Sequence, residues 1–252
     1  MVSLKDFVKD RSRLFDAYIK AKRVLRIKTP SYDALDQFSR SLRGQVRFLQ
    51  IGASDGLFSD PIREFVVRDR WGGLFVEPLP YSFERLIRNY GYLRNPDLNF
   101  LNASVSTTSD HLDLWVVSDE CLSRLPLSQR MELLQKSSTK KEHVQQFLDE
   151  HDLGTAVLTK VSTPCFGLPD LLDTHFSSGG LDLLVLDVEG YEQAIIMSIE
   201  FQVHAPTAIF YESHHLADGK IQVQEFLEGQ GYQCVDLAGD TFAVSNDLAL
   251  SL

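Results

Sequence analysis

The sequence predicts an α/β protein built on a mostly parallel sheet covered on both faces, with one reversed strand. Three observations lead there. From residue 46 onward, short apolar runs alternate with helix-patterned segments. The runs are apolar nearly throughout, as buried parallel strands are, rather than alternating in polarity. The last two, Tyr232 to Leu237 and Thr241 to Val244, are separated by Ala238-Gly239-Asp240, which permits an antiparallel hairpin and is too short for a parallel crossover.

The elements follow in order. Apolar positions Phe7, Val8, Leu14, Phe15, Tyr18 and Ile19 recur at helical spacing, so one or two helices precede the sheet. Thr29-Pro30 stops them, and a second short helix is expected over 31–42. Val46 to Ile51 reads as the first strand, 60–69 as a helix, and Gly73 to Glu77 as the second strand. Tyr81 to Tyr90 is a helix, Asn99 to Val105 a third strand, and 111–117 an alternating strand. Residues 119–155 interrupt the rhythm with a polar, helix-prone insertion. Alternation resumes with strands at 161–165, 181–187 and 207–212 and helices at 167–175, 190–200 and 220–229. Residues 1–45 are therefore read as a helical extension, and 46–252 as the main domain carrying the insertion.

Composition narrows the function classes. The chain has 252 residues, 44% of them hydrophobic, with 35 acidic and 25 basic side chains. Residues 1–47 hold 12 basic and 5 acidic groups, and residues 48–252 hold 13 and 30. An acidic body repels phosphate backbones, which argues against nucleic acid as a partner. The basic stretch at Lys20, Lys22, Arg23, Arg26 and Lys28 reads either as a contact for an anionic partner or as a solvated helix face. No apolar run is long enough to span a membrane, and the charged N-terminus is unlike a signal peptide. Cys121, Cys165 and Cys234 are odd in number and widely spaced, as expected of reduced cytoplasmic thiols.

In open α/β sheets ligands bind beyond the carboxyl ends of the strands, so those ends carry the chemistry. The first strand runs into Gly52-Ala53-Ser54-Asp55-Gly56. This G-x-x-x-G turn departs from the G-x-G-x-x-G dinucleotide pattern, and Asp55 would repel a pyrophosphate and attract a cationic ligand. A nicotinamide oxidoreductase would also want a Tyr-x-x-x-Lys pair, which is not found after these strands. Glu77 ends the second strand 21 residues after Gly56, about the interval at which an acid meets ribose hydroxyls. Together they suggest a nucleoside whose other end is cationic and free of phosphate, as in S-adenosylmethionine. Asp187 and Glu189 end one strand, where they either serve the site or cap the next helix. Glu212, His214 and His215 end its neighbour, a grouping suited to proton transfer or to holding a divalent cation.

The stretches FLQIGASDG (48–56), FVEP (75–78), LNASVS (101–106), LDLLVLDVEGYE (181–192) and FYESHHL (210–216) resemble the FkbM-type methyltransferases, over about residues 46–245. The resemblance implies a class I methyltransferase fold, a Rossmann-like seven-stranded sheet with a C-terminal antiparallel hairpin. It also implies O-methylation with S-adenosylmethionine, of sugar or secondary-metabolite hydroxyls. Carried over by position, Gly52, Ser54, Asp55 and Gly56 would line the methionine end of the cofactor. Glu77 would hold the ribose, Asn102 and Ala103 would lie near the adenine, and Asp187 and Glu189 beside the reacting centre.

The expected protein is thus a cytoplasmic O-methyltransferase with a small-molecule or glycan acceptor. Its catalytic candidates are His215, Glu212 and Asp187, and a metal ion, if one takes part, would be held by Asp187, Glu189 and Glu212. The insertion at 119–155 is read as an acceptor lid or as the arm of a homodimer. The alternatives are a cofactor-binding or partner-binding module without catalysis, and a carboxylate methyltransferase.

Overall fold

A computed structural model describes residues 11–248 and 250, apart from 25–28, 108–109, 152, 155–156, 177–179 and 218. Of the basic stretch near the N-terminus, only the Lys20 side chain falls within the description, where it is exposed; the side chains of Lys22 and Arg23, and residues Arg26 and Lys28 altogether, lie outside it.

Helix α1 (Ser12–Val24) is joined to the body by Asp16, which accepts from the buried Arg63 guanidinium at 2.7 Å, and by the buried Phe15. Helix α2 (Pro30–Ser41) begins where the sequence stops the first helix: the Thr29 hydroxyl accepts from the Tyr32 N–H, and Pro30 takes the first turn. The sheet then builds as β1 (Arg47–Ile51), α3 (Arg63–Arg68), β2 (Gly72–Val76), α4 (Pro80–Gly91) and β3 (Leu98–Leu101). After the insertion come α8 (Leu168–Phe176), β7 (Leu183–Leu186), α9 (Glu192–Met197), β8 (Ala208–Glu212), α10 (Gly219–Gly229), β9 (Tyr232–Asp236) and β10 (Asp240–Ser245).

These seven strands pair in the order β3-β2-β1-β7-β8-β10-β9, and β10 runs antiparallel to both its neighbours. Within β1, Phe48 faces the layer of α2 to α4, and Leu49 and Ile51 face the layer of α8 to α10. All four residues of β7 are buried, which explains why its sequence shows no alternation. The expected mostly parallel sheet, covered on both faces and closed by a hairpin, is present.

Two strands differ from expectation. The third ends at Leu101, because the Asn102 side chain donates to the carbonyls of Glu77 and Pro78 and turns the chain out of the sheet. Ser104–Val105 (β4) then pairs with β6 (Leu158–Phe166), not with β2. The strand expected at 161–165 is the core of β6, and it lies outside the main sheet, antiparallel to β5 (His111–Val117). Its two faces are unequally covered, so it cannot stand in the doubly buried centre.

The insertion forms α5 (Asp119–Ser123), α6 (Leu127–Gln135) and α7 (Lys141–Glu150). They pack on β5 through a cluster that includes Met131, Leu134, Val144 and Leu148 and extends to Phe15, Leu57, Phe58 and Leu79 of the body. No helix among the described residues is long and apolar enough to cross a membrane.

Candidate active site at the carboxyl ends of the strands

A cavity of about 460 Å³ opens between the carboxyl ends of β1, β2 and β7 and the insertion. Gly52, Ser54, Glu77, Ala103, Asp187 and Glu189 all line it. Gly52 has φ +82°, and a Cβ there would stand 1.8 Å from the Asp187 carbonyl oxygen, so β1 and β7 close only on glycine. Ser54, also at positive φ (+49°), turns its N–H onto Glu77 Oε2 at 2.8 Å. Glu77 Oε1 accepts from the Leu79 N–H at 2.9 Å. The Glu77 carboxylate is thus fixed from two sides though only 5% exposed. Burial pushes its pKa up to about 7 against those two N–H donors, with help from the Asp187 and Asp55 charges. The Ser54 hydroxyl is buried in the cavity wall with no hydrogen-bond partner among the described residues.

Three residues expected at the cofactor face elsewhere. Asp55 is fully buried: Oδ1 accepts from the N–H groups of Leu57 and Phe58, and Oδ2 meets Arg85 at 3.3 Å. It holds the loop together and is not among the residues that line the cavity, contrary to the expectation drawn from its charge. Gly56 packs against α4, where a Cβ would come within 2.5 Å of the Tyr90 ring. Asn102 uses its amide to turn the chain, as described above, and Ala103 takes the place at the cavity expected of both.

The second group of acids sits at the ends of β7 and β8. Glu192 caps the loop after β7, accepting from the N–H groups of Val188 and Gly190 at 2.8 and 3.0 Å. The capping role open to Asp187 or Glu189 is therefore taken, and both line the cavity. Oxygens of Asp187, Glu189 and Glu212 lie within 4.8 Å of one another. Burial, and then the neighbouring carboxylates, raise the pKa of Asp187 and of Glu212. His215 Nε2 is 3.6 Å from Glu189 and 3.8 Å from Glu212, and its ring meets that of His214 in a tilted contact, with centroids 3.6 Å apart and planes at 43°. Burial and the His214 charge lower the His215 pKa, opposed by Glu189. His215 and Glu212 adjoin the cavity through Glu189 rather than lining it.

Lys136, which sequence reading passed over, crosses from the insertion and donates to both oxygens of Glu189 at 2.8 and 2.9 Å. His143 and the 137–140 loop, which form the far wall of the cavity, were passed over as well. Nothing in the local pattern marks them, since only the folding of the insertion back onto β7 brings them to the site.

A nucleoside-sized cavity at the strand ends, with a fixed acid after β2, defines an α/β domain of the cofactor-binding kind. The model of the FkbM methyltransferase domain matches residues 50–234. The chain belongs to that family of S-adenosylmethionine-dependent methyltransferases. Among solved structures, it is similar to an FkbM methyltransferase from Methylobacillus flagellatus at 9% identity and a TM-score of 0.48. That match covers 80% of this chain and 44% of the other, so the chain spans less than half of that relative. It is also similar to an O-methyltransferase from Bacillus cereus in complex with S-adenosylhomocysteine, at 11% identity and a TM-score of 0.45, over 92% and 90% of the two chains. No curated protein matches the sequence.

Proposed function

We propose that the protein transfers a methyl group from S-adenosylmethionine to a hydroxyl of a sugar or secondary metabolite. The observation that supports this best is Glu77, a buried carboxylate fixed by two N–H groups and facing the cavity, where its remaining lone pairs suit a ribose diol. The orphaned Ser54 hydroxyl and the small Ala103 beside it fit the same ligand. When bound, S-adenosylmethionine supplies an electrophilic methyl group on a cationic sulfur. Asp187 and Glu189 put carboxyl groups at that end of the cavity, and a cationic sulfur there would favour the ionised form of Asp187 against the burial that raises its pKa.

Most of the rate then comes from positioning, but a neutral hydroxyl must also lose its proton as it attacks. His215 is the base in this reading. Its lowered pKa keeps the ring neutral at pH 7, able to take the proton, and Glu189 and Glu212 stand close enough to stabilise the imidazolium formed. The proximity of Asp187, Glu189 and Glu212 supports a second reading, in which they hold a divalent cation that acidifies the hydroxyl.

One experiment separates them: transfer of labelled methyl to a panel of sugar and polyol acceptors by the parent and by His215→Ala, each with Mg²⁺ and with EDTA. The base reading predicts a loss of roughly 10²–10⁴-fold in His215→Ala and no effect of EDTA. The metal reading predicts that EDTA silences the parent. If neither treatment matters, the acceptor is already ionised and the hydroxyl reading falls.

A further inference from the structure

The cavity is electrically two-sided. Its sheet wall carries Glu77, Asp187 and Glu189, whereas the wall supplied by the insertion carries Ser137, Ser138, Thr139, Lys140 and His143 and no acid. That second wall stands out against a body with 30 acidic and 13 basic residues over 48–252. The lysines around it differ in their commitments. Lys136 is held by Glu189, and Lys160 by Asp113 at 3.2 Å. Lys141 and Lys160 also stand over the Trp115 ring, 5.1 and 5.2 Å from its centroid. Lys140 has no carboxylate within ion-pair distance among the described residues, and it lines the cavity.

Trp115 exchanges backbone hydrogen bonds with Ser138, so this group of cations is seated on β5 rather than on a loose tip. A bare lysine on a convex surface would be ordinary. Here an ammonium, an imidazole and three hydroxyls line one wall of a cavity, with Lys140 and His143 exposed to solvent, and each is a group that can donate to an anion. That donor set matches phosphate or carboxylate, and it mismatches the sulfonium expected at the opposite wall.

We propose that the acceptor is anionic, carrying a phosphate or a carboxylate that Lys140 and His143 hold while its hydroxyl is presented to the acidic end of the cavity. The inference rests on the methyl-transfer reading and names the class of acceptor that reading leaves open. It predicts that uncharged sugars are poor substrates beside their phosphorylated or uronate counterparts.

The test uses the full chain loaded with S-adenosylhomocysteine and titrated with inorganic phosphate and, separately, with acetate, followed by calorimetry. The parent binds at least one of the two anions at millimolar concentrations, and the stronger one tells which group the acceptor carries. In Lys140→Gln/His143→Gln that affinity falls about tenfold, as for a lost charged hydrogen bond, while adenosylhomocysteine affinity changes less than twofold. Equal anion affinity in parent and variant overturns the proposal. So does an anion that displaces adenosylhomocysteine, because the basic wall would then serve the cofactor. So does absence of binding by either anion up to roughly 50 mM, far above the dissociation constant expected of a lysine ammonium with a second donor beside it. Failure to bind adenosylhomocysteine at all strikes the methyltransferase reading instead, and the anion titration of the free protein is still read.

Discussion

The site has two acidic halves that handle buried charge in opposite ways. At the ends of β1 and β2, Asp55 and Glu77 are each tied to two backbone N–H groups, and Asp55 also to Arg85. At the ends of β7 and β8, Asp187, Glu189 and Glu212 crowd together, with Lys136 on one of them and a Glu212 oxygen buried without a hydrogen bond. The carboxylates of the first half have their hydrogen bonds before any ligand arrives, and the Ser54 hydroxyl beside them lacks one among the described residues. The second carries unmet electrostatic demand, the condition of groups that act on a ligand or a proton. Folding stability should therefore depend on the first half, and pH response and chemistry on the second, with Glu77 belonging to both.

The largest expected effect tests the first half. Asp55→Ala removes one partner of a buried ion pair and the single oxygen that accepts from two N–H groups, a loss of about 3–5 kcal/mol. Urea unfolding of parent and variant measures it. A variant as stable as the parent, but unable to bind adenosylhomocysteine, would return Asp55 to the ligand and break the contrast between the halves.

Glu77 comes next. Its pKa near 7 in the free protein would fall when ribose hydroxyls donate to the carboxylate, so binding should release a proton and tighten as pH rises from 6 to 8. Calorimetry of adenosylhomocysteine binding in buffers of different ionisation enthalpy reads the proton directly. Glu77→Gln should weaken binding by roughly 1–3 kcal/mol and abolish the pH dependence. A pH-independent affinity in the parent would mean that Glu77 does not meet the ligand.

The third effect concerns stability. Asp187, Glu212 and Glu77 all have pKa values raised by folding. For acids shifted in that direction the unfolded chain loses its protons first. Their contribution is fully present below the unfolded values near pH 4 and is lost as pH climbs through the raised ones. The free protein should thus be less stable at pH 8 than at pH 5.5, and Asp187→Asn should flatten that slope in urea titrations. A slope of opposite sign would show that Lys136 outweighs the carboxylate repulsion.

How much of this was legible beforehand follows from the range of the interactions. Strand ends are local features, so Gly52, Glu77, Asp187 and Glu189 could be placed at the cavity from sequence alone. Side-chain direction at those ends is not local. Asp55 looked like a ligand because its loop was read without α4, whose Arg85 reaches it from 30 residues away. The break after Leu101 depends on an Asn102 amide finding the carbonyls of Glu77 and Pro78, and β6 depends on a partner, β5, across the whole insertion. Lys136 meets Glu189 across 53 residues, a pairing no periodicity announces.

That pairing gives the smallest and most discriminating prediction. Lys136 and Glu189 are partly exposed, so the ion pair contributes only about 0–1 kcal/mol. The insertion is also held by Met131, Leu134, Val144 and Leu148, buried against β5, and these persist when the pair is lost. Lys136→Met should therefore leave α6 and α7 protected from hydrogen exchange and speed exchange only in the connecting loop, by roughly fivefold or less. If the substitution instead releases α6 and α7 together, the insertion is a whole-body lid hinged on a single ion pair. The second half of the site would then govern access as well as chemistry.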